Sequence, residues 1–167
     1  MTFKTQLSYV KKQITKSLLN LMKENAFEEI TIKQIIETAE VGRASFYRNY
    51  KNKEDVIKQY MSILIQEWGE EFEKNNTQNL IESLMNHYYS ERELYKLLHK
   101  CGLSHYILDT IKDACKINEL AGNAHAYSLA WFAGGLFCFI DEWIGRGMTE
   151  TPEEVIQLVQ TYTKSKY

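Results

Sequence analysis

Apolar residues recur at i, i+3 and i+4 along nearly the whole of this 167-residue chain, and alternating polar/apolar runs are scarce. That periodicity suits helices. One proline and eight glycines leave few breaks between the helical stretches, so the expected fold class is all-α, with about nine helices in total. At 44% hydrophobic residues the chain can bury a core in one or two small domains, and its composition is neither that of a disordered chain nor that of a collagen.

Within this pattern the stretch 31–53, TIKQIIETAEVGRASFYRNYKNK, stands apart. Thr31 can cap a helix through Ile32, Ile35, Ile36 and Ala39. After a turn at Glu40 to Gly42, a second short helix carries Phe46 and Tyr50 inward, which makes a helix-turn-helix. Upstream, Leu7, Val10, Ile14, Leu18 and Leu21 form the apolar stripe of a first helix, with Phe27 and Ile30 as plugs under the other two. Between its inward anchors the second helix presents Arg43, Ala44, Ser45, Tyr47, Arg48 and Asn49, side chains suited to base edges and phosphates. The charge agrees. Residues 1–60 hold eleven Lys and Arg against seven Asp and Glu, a net of +4, and residues 61–167 hold nine against fifteen, a net of −6. A polyanion such as double-stranded DNA is drawn to the first end and repelled by the second.

This segment resembles the DNA-binding domain of TetR family transcriptional regulators: Thr31, Ala39, Val41, Ser45, Phe46, Tyr47, Tyr50 and Lys53 fall on the family's pattern in register. Two positions depart from it. Glu40 stands where the family usually has the turn glycine, and a glutamate in a left-handed turn is strained. Gly42 stands where a capping serine is common. The resemblance implies base contacts from Arg43 and Ala44, a cation at Lys33 that reaches a base or phosphate, and phosphate contacts from Thr31, Ser45, Tyr47, Arg48, Asn49 and Lys53.

The rest of the chain reads as helices in sequence. A long one is expected from Glu54 to Lys74, then one over 78–89, a short one capped by Ser90 with Glu93 and stopped at Gly102, and one from Ser104 to Cys115. The stretch from Ala124 to Ile144 is apolar on nearly all sides and is expected to be buried. Thr151, Pro152 and Glu154 open the last helix. The run Trp131-Phe132-Ala133-Gly134-Gly135, followed by Trp143-Ile144 and Thr151-Pro152-Glu153-Glu154, resembles the C-terminal domain of one TetR subgroup. The expected organisation is therefore a three-helix DNA-binding domain over 1–53 and a helical effector-binding and dimerisation domain over 54–167.

In the family such a second domain encloses an effector pocket, and the polar-tipped aromatics Trp68, Tyr88, Tyr89, Tyr95, Tyr106, Tyr127 and Trp131 are the candidates to line one for an unknown small molecule. Trp131, Phe137, Ile140 and Trp143, with Ile156, Val159 and Tyr162, present more apolar surface than one subunit is expected to cover. They are the candidate interface of a homodimer that reads a palindromic operator. Gly134-Gly135 costs roughly 1 kcal/mol per glycine relative to alanine inside a helix, which fits a close approach of backbones there.

Other classes find less support. The longest apolar run, 126–140, is shorter than the ~20 residues a membrane span needs. Three cysteines without CxxC spacing and no signal segment at the start point to a cytoplasmic protein with free thiols. His99, Cys101 and His105 match no compact zinc pattern, so no metal or other cofactor is expected. No Gly-rich phosphate loop, HExxH or nucleophile elbow suggests an enzyme. The expected function is a ligand-responsive repressor; the rival readings are a helical dimer acting through protein contacts alone, or a small helical enzyme.

Overall fold

The computed structural model describes residues 8–75, 79–114 and 122–166, with side chains up to residue 161. Among the described residues there are nine α-helices and no strand: α1 (Tyr9–Glu24), α2 (Ile32–Thr38), α3 (Arg43–Asn49), α4 (Lys53–Lys74), α5 (Leu80–Ser90), α6 (Arg92–Lys100), α7 (His105–Ala114), α8 (Asn123–Gly145) and α9 (Pro152–Lys166). A 3-10 turn, Phe27–Glu29, joins α1 to α2. The chain divides into two compact units, Met1–Glu67 and Trp68–Tyr167.

In the first unit α1, capped by Ser8, buries Ile14, Leu18 and Met22. Helices α2 and α3 pack on it and on each other through Ile35, Ala39, Phe46 and Tyr50. Phe27 and Ile30 are buried as plugs. Val10 and Leu21 flank the α1 stripe half-buried, and Leu7 lies outside the described residues. Two polar side chains of α1 are buried where α2 and α3 arrive. Ser17 Oγ donates to the Ile35 carbonyl at 2.9 Å, and Thr15 Oγ1 lies 3.5 Å from the Tyr50 hydroxyl.

In the second unit α8 packs against α6 and α7, and α5 against α9, around Met85, Leu98, Ile107, Ala133 and Ile140. Several local signals differ from their sequence reading. Asn79 caps α5 by accepting from the Ile81 and Glu82 amides. Ser90 does not open α6: it is the last residue of α5, its hydroxyl donates to the His87 carbonyl, and Glu91 starts α6 without a side-chain cap. Cys115 lies outside the described residues. The start of α9 follows its sequence signal, with the Thr151 amide donating to Glu154 Oε2 and the Glu154 amide to Thr151 Oγ1.

Helices α2, α6 and α8 stop in the same way. The residue after each C-cap turns left-handed and donates to the second-last helical carbonyl, and the next amide donates one residue further back. Gly102 (φ +70°) and Gly147 (φ +88°) take that position after α6 and α8, but Glu40 (φ +53°) takes it after α2. The Glu40 amide reaches Glu37 O at 3.2 Å and the Val41 amide reaches Ile36 O at 3.0 Å. A side chain in this conformation costs about 1–2 kcal/mol, partly offset because glycine has more unfolded-chain entropy to lose. Glu40→Gly is expected to stabilise the chain by ~0.5–1 kcal/mol, seen as a higher urea midpoint; a lower midpoint would refute the strain.

Candidate functional site

The amphipathic sequence of α3 sets its outward face. Phe46 and Tyr50 are buried, so Arg43, Ala44, Tyr47 and Arg48 are left exposed. The Arg43 guanidinium lies over the Tyr47 ring at 5.5 Å, and that ring meets the edge of Phe46 at 5.5 Å. The stack gives the arginine a preferred direction before any partner arrives. Gly42 begins the helix with no side-chain cap, and Arg48 sits in the last turn, where a cation complements the helix dipole. Ser45 and Asn49 are half-buried, and the Asn49 amide donates to the Ser45 carbonyl at 2.7 Å, an internal bond. On α2, Lys33 is exposed, 3.9 Å from the exposed Glu37, a pairing too weak to hold it.

Two of the residues expected to contact phosphate are engaged within the chain. Thr31 caps α2 in a reciprocal box: the Gln34 amide donates to its Oγ1, while its own hydroxyl and amide both donate to Gln34 Oε1 at 2.8 Å. Its proton is already engaged. Lys53 is more decisive. Its ammonium donates to the carbonyls of Phe27 (2.5 Å), Glu28 (2.9 Å) and Ile30 (2.8 Å) and lies 4.7 Å from the Phe27 ring centre. Three protons meet three backbone acceptors, so a phosphate would have to compete for them. The lysine clamps the α1–α2 connection to the start of α4. Lys53→Met, which keeps the stem, is expected to cost about 1–3 kcal/mol in urea unfolding through the orphaned carbonyls; unchanged stability would return Lys53 to the DNA face.

In the second unit Trp68, Tyr88 and Tyr95 gather around His87. Trp68 stacks on Phe72 and donates from Nε1 to Ser83 Oγ at 3.0 Å; His87 Nε2 lies 3.0 Å from the Tyr95 hydroxyl, and the Tyr88 and Tyr95 rings are 4.6 Å apart. Tyr89 stacks flat on Trp143 at 5.8 Å, with the Arg92 guanidinium over its ring. Tyr106 is buried beside His105. Among the described residues Tyr127 and Trp131 stand outside this group: they are 70% and 83% exposed, on the part of α8 that precedes its first buried residue, Ala133.

That asymmetry also corrects the interface candidates. Ile140 and Trp143 are buried in their own subunit and have no side-chain surface to offer a second copy. Phe137 and Ile156 are half-buried, Trp131 and Val159 are exposed, and the Tyr162 side chain lies outside the described residues. A Cβ built at Gly134 or Gly135 meets nothing within 4 Å, so no described part of the chain approaches closely there.

Burial pulls the His87 pKa down from its ordinary value of 6.5 to about 4 and raises that of Tyr88. The unfolded chain therefore takes a proton at His87 near pH 6.5, and the folded chain resists it until about 4. The stability from His87 is complete above that window and falls as pH drops through it, by up to ~1.4 kcal/mol per unit. His87→Gln is expected to flatten the dependence of the urea midpoint on pH between 6.5 and 4; an unaltered slope would mean that the ring is not buried neutral.

A short exposed helix, held by a turn on two others and carrying a stacked arginine, defines a helix-turn-helix DNA-binding protein. Residues 14–60 match the family described as bacterial regulatory proteins, tetR family, and residues 75–165 match a TetR-type transcriptional regulator C-terminal region. The chain belongs to the TetR family of transcriptional regulators. The second match extends well beyond the C-terminal motifs that carried the resemblance in sequence. A solved structure, the dihydroxyacetone kinase operon activator DhaS, shares the fold with a TM-score of 0.55 and 18% identity, over 93% of this chain and 96% of that one. A search of curated protein sequences finds no match. Among the described residues no helix is long and apolar enough to cross a membrane, and no three His, Cys, Asp or Glu side chains are grouped to hold a metal ion.

Proposed function

We propose that this regulator is a cytoplasmic, ligand-responsive repressor that binds a palindromic operator as a homodimer, without catalytic activity. The observation that carries the DNA-reading part is the outward face of α3, where Arg43 is pre-stacked on Tyr47 beside Ala44 and Arg48. In this reading Arg43 and Ala44 meet base edges, and Lys33, Ser45, Tyr47, Arg48 and Asn49 lie along the backbone of the duplex. Residues 1–53 form the DNA-binding domain and residues 54–167 the effector-binding and dimerisation domain.

Trp131, Phe137, Ile156 and Val159, on the sides of α8 and α9 left open by the subunit's own core, are the dimer surface. The aromatic group of Trp68, Tyr88 and Tyr95 around His87, together with Tyr89 stacked on Trp143, supports a small aromatic or amphipathic effector. The structural neighbour is named an activator. A promoter fusion decides the sign here, since loss of a repressor raises expression and loss of an activator lowers it.

Selection from random duplex DNA with the full chain tests the reading. A palindrome should be enriched, and sedimentation at micromolar concentration should give a dimer. On the selected site Arg43→Ala is expected to lose ~1–3 kcal/mol and relax the preference at one base position. Arg48→Ala should weaken all sequences alike and lower the slope of log affinity against log salt by ~0.9. If no sequence is enriched, or if both variants bind as the parent does, the docking of α3 is wrong; a monomer would remove the dimer and the palindrome.

A further inference from the structure

The recognition helix is held at its C-terminal end by one side chain from α4. Gln59, half-buried, donates from Nε2 to the Asn49 carbonyl at 3.2 Å and to Asp55 Oδ2 at 3.1 Å, and its Oε1 accepts from Lys11 Nζ at 2.8 Å. Two of these partners have a second attachment. Asp55 Oδ2 also accepts from the Lys51 amide at 2.9 Å, which fixes the bend between α3 and α4. The Asp55 amide donates to Asn52 Oδ1 at 2.8 Å, the cap of α4. Lys11 also lies 5.4 Å from the centre of the Tyr50 ring. One amide therefore ties α1, the last carbonyl of α3 and the first turns of α4 into a single polar joint.

We infer that Gln59 is a positioning residue for DNA reading: it sets the direction of α3 on its scaffold and so the place where Arg43 meets a base. The inference rests on the reading of α3 as the DNA-contacting helix. Asn49 O belongs to the last turn of α3, whose carbonyls lack helical partners, and Gln59 supplies the donor that water would otherwise give. At the other end Gly42 provides no side-chain cap. Gln59 holds the last turn of α3, and a helix of seven residues moves as one piece, so loss of the joint displaces Arg43 in the first turn together with Asn49. Gln59 meets α3 at a backbone atom, the Asn49 carbonyl.

Gln59→Met preserves length and helix propensity and removes both donors and the acceptor. Its affinity for the site selected by the parent chain is expected to fall about tenfold, the scale of one or two lost hydrogen bonds, with affinity for unrelated DNA and the salt slope unchanged. Arg43→Ala should then cost much less in the Gln59→Met background than alone, because a displaced arginine has less discrimination to lose. Gln59→Glu separates donors from acceptor: it can still accept from Lys11 but points carboxylate oxygens at Asp55 and at Asn49 O, and should bind no better than Gln59→Met. Hydrogen exchange on the free full-length protein gives a result that needs no DNA. The amides of Phe46 and Tyr50 should exchange faster in Gln59→Met, while those of Ile14 to Met22 in α1 keep their protection. Additive Arg43 and Gln59 effects, parent-like binding by Gln59→Glu, or a loss of protection spread evenly over α1 and α3 would each overturn the positioning role. A failure to select any DNA sequence would remove the DNA reading, and the exchange pattern would still decide whether Gln59 holds α3.

Discussion

Seven residues make fewer than two helical turns, and a helix that short has no stability of its own in water. The structure of the first unit follows from that constraint on α3. Helix α2 is equally short, so each leans on the other and both lean on the sixteen-residue α1. Phe46 and Ile35, with no exposed surface, and Tyr50 contribute the apolar contact. The buried hydroxyl of Ser17 and that of Thr15 supply polar points of attachment, and a polar contact between packed helices limits sliding in a way that apolar contact alone does not. The exposed row of α3 is thus carried by side chains that never reach the surface.

In the second unit the corresponding question is what an apolar helix does with more surface than its neighbours can cover. Helix α8 gives two answers along its length. From Ala133 onward it buries Ile140, Trp143 and Ile144 against its own subunit, and before that it exposes Tyr127, Trp131 and Phe132. The glycine pair falls next to the change. Two glycines in a helix interior weaken it without filling space, and nothing described in the chain comes close to them. Nothing among the described residues offsets their cost, which agrees with the open side of α8 belonging to an assembly in the proposed function.

Much of this organisation was legible in the sequence because it rests on periodicity and caps, which are local. The apolar spacing marked α1, α4, α8 and α9, and Thr31 and Thr151 marked the starts of two helices. The Thr31–Gln34 spacing also carried the signal of the reciprocal cap, which was missed; it could have warned that the Thr31 hydroxyl was engaged. The role of Lys53 was not legible, since its acceptors are backbone carbonyls about two dozen residues away and every residue type has a carbonyl. Gln59 was hidden for the same reason. The burial of Ile140 and Trp143 and the exposure of Trp131 could not be separated either, because a helix apolar on nearly all sides does not reveal which part its own subunit covers.

The two departures from the family's turn pattern fit together once the anchoring of α3 is seen to be one-sided. Glu40 holds a strained conformation just before the helix, and Gly42 starts it without a side-chain cap, so neither residue at that end contributes what the commoner one would. A helix with such a start needs its order supplied elsewhere. Here it comes from the other end: Tyr50 is buried, Asn49 O accepts from Gln59, and Lys51 N donates to Asp55. The consequence is a short helix whose last turn carries more side-chain attachments to its neighbours than its first.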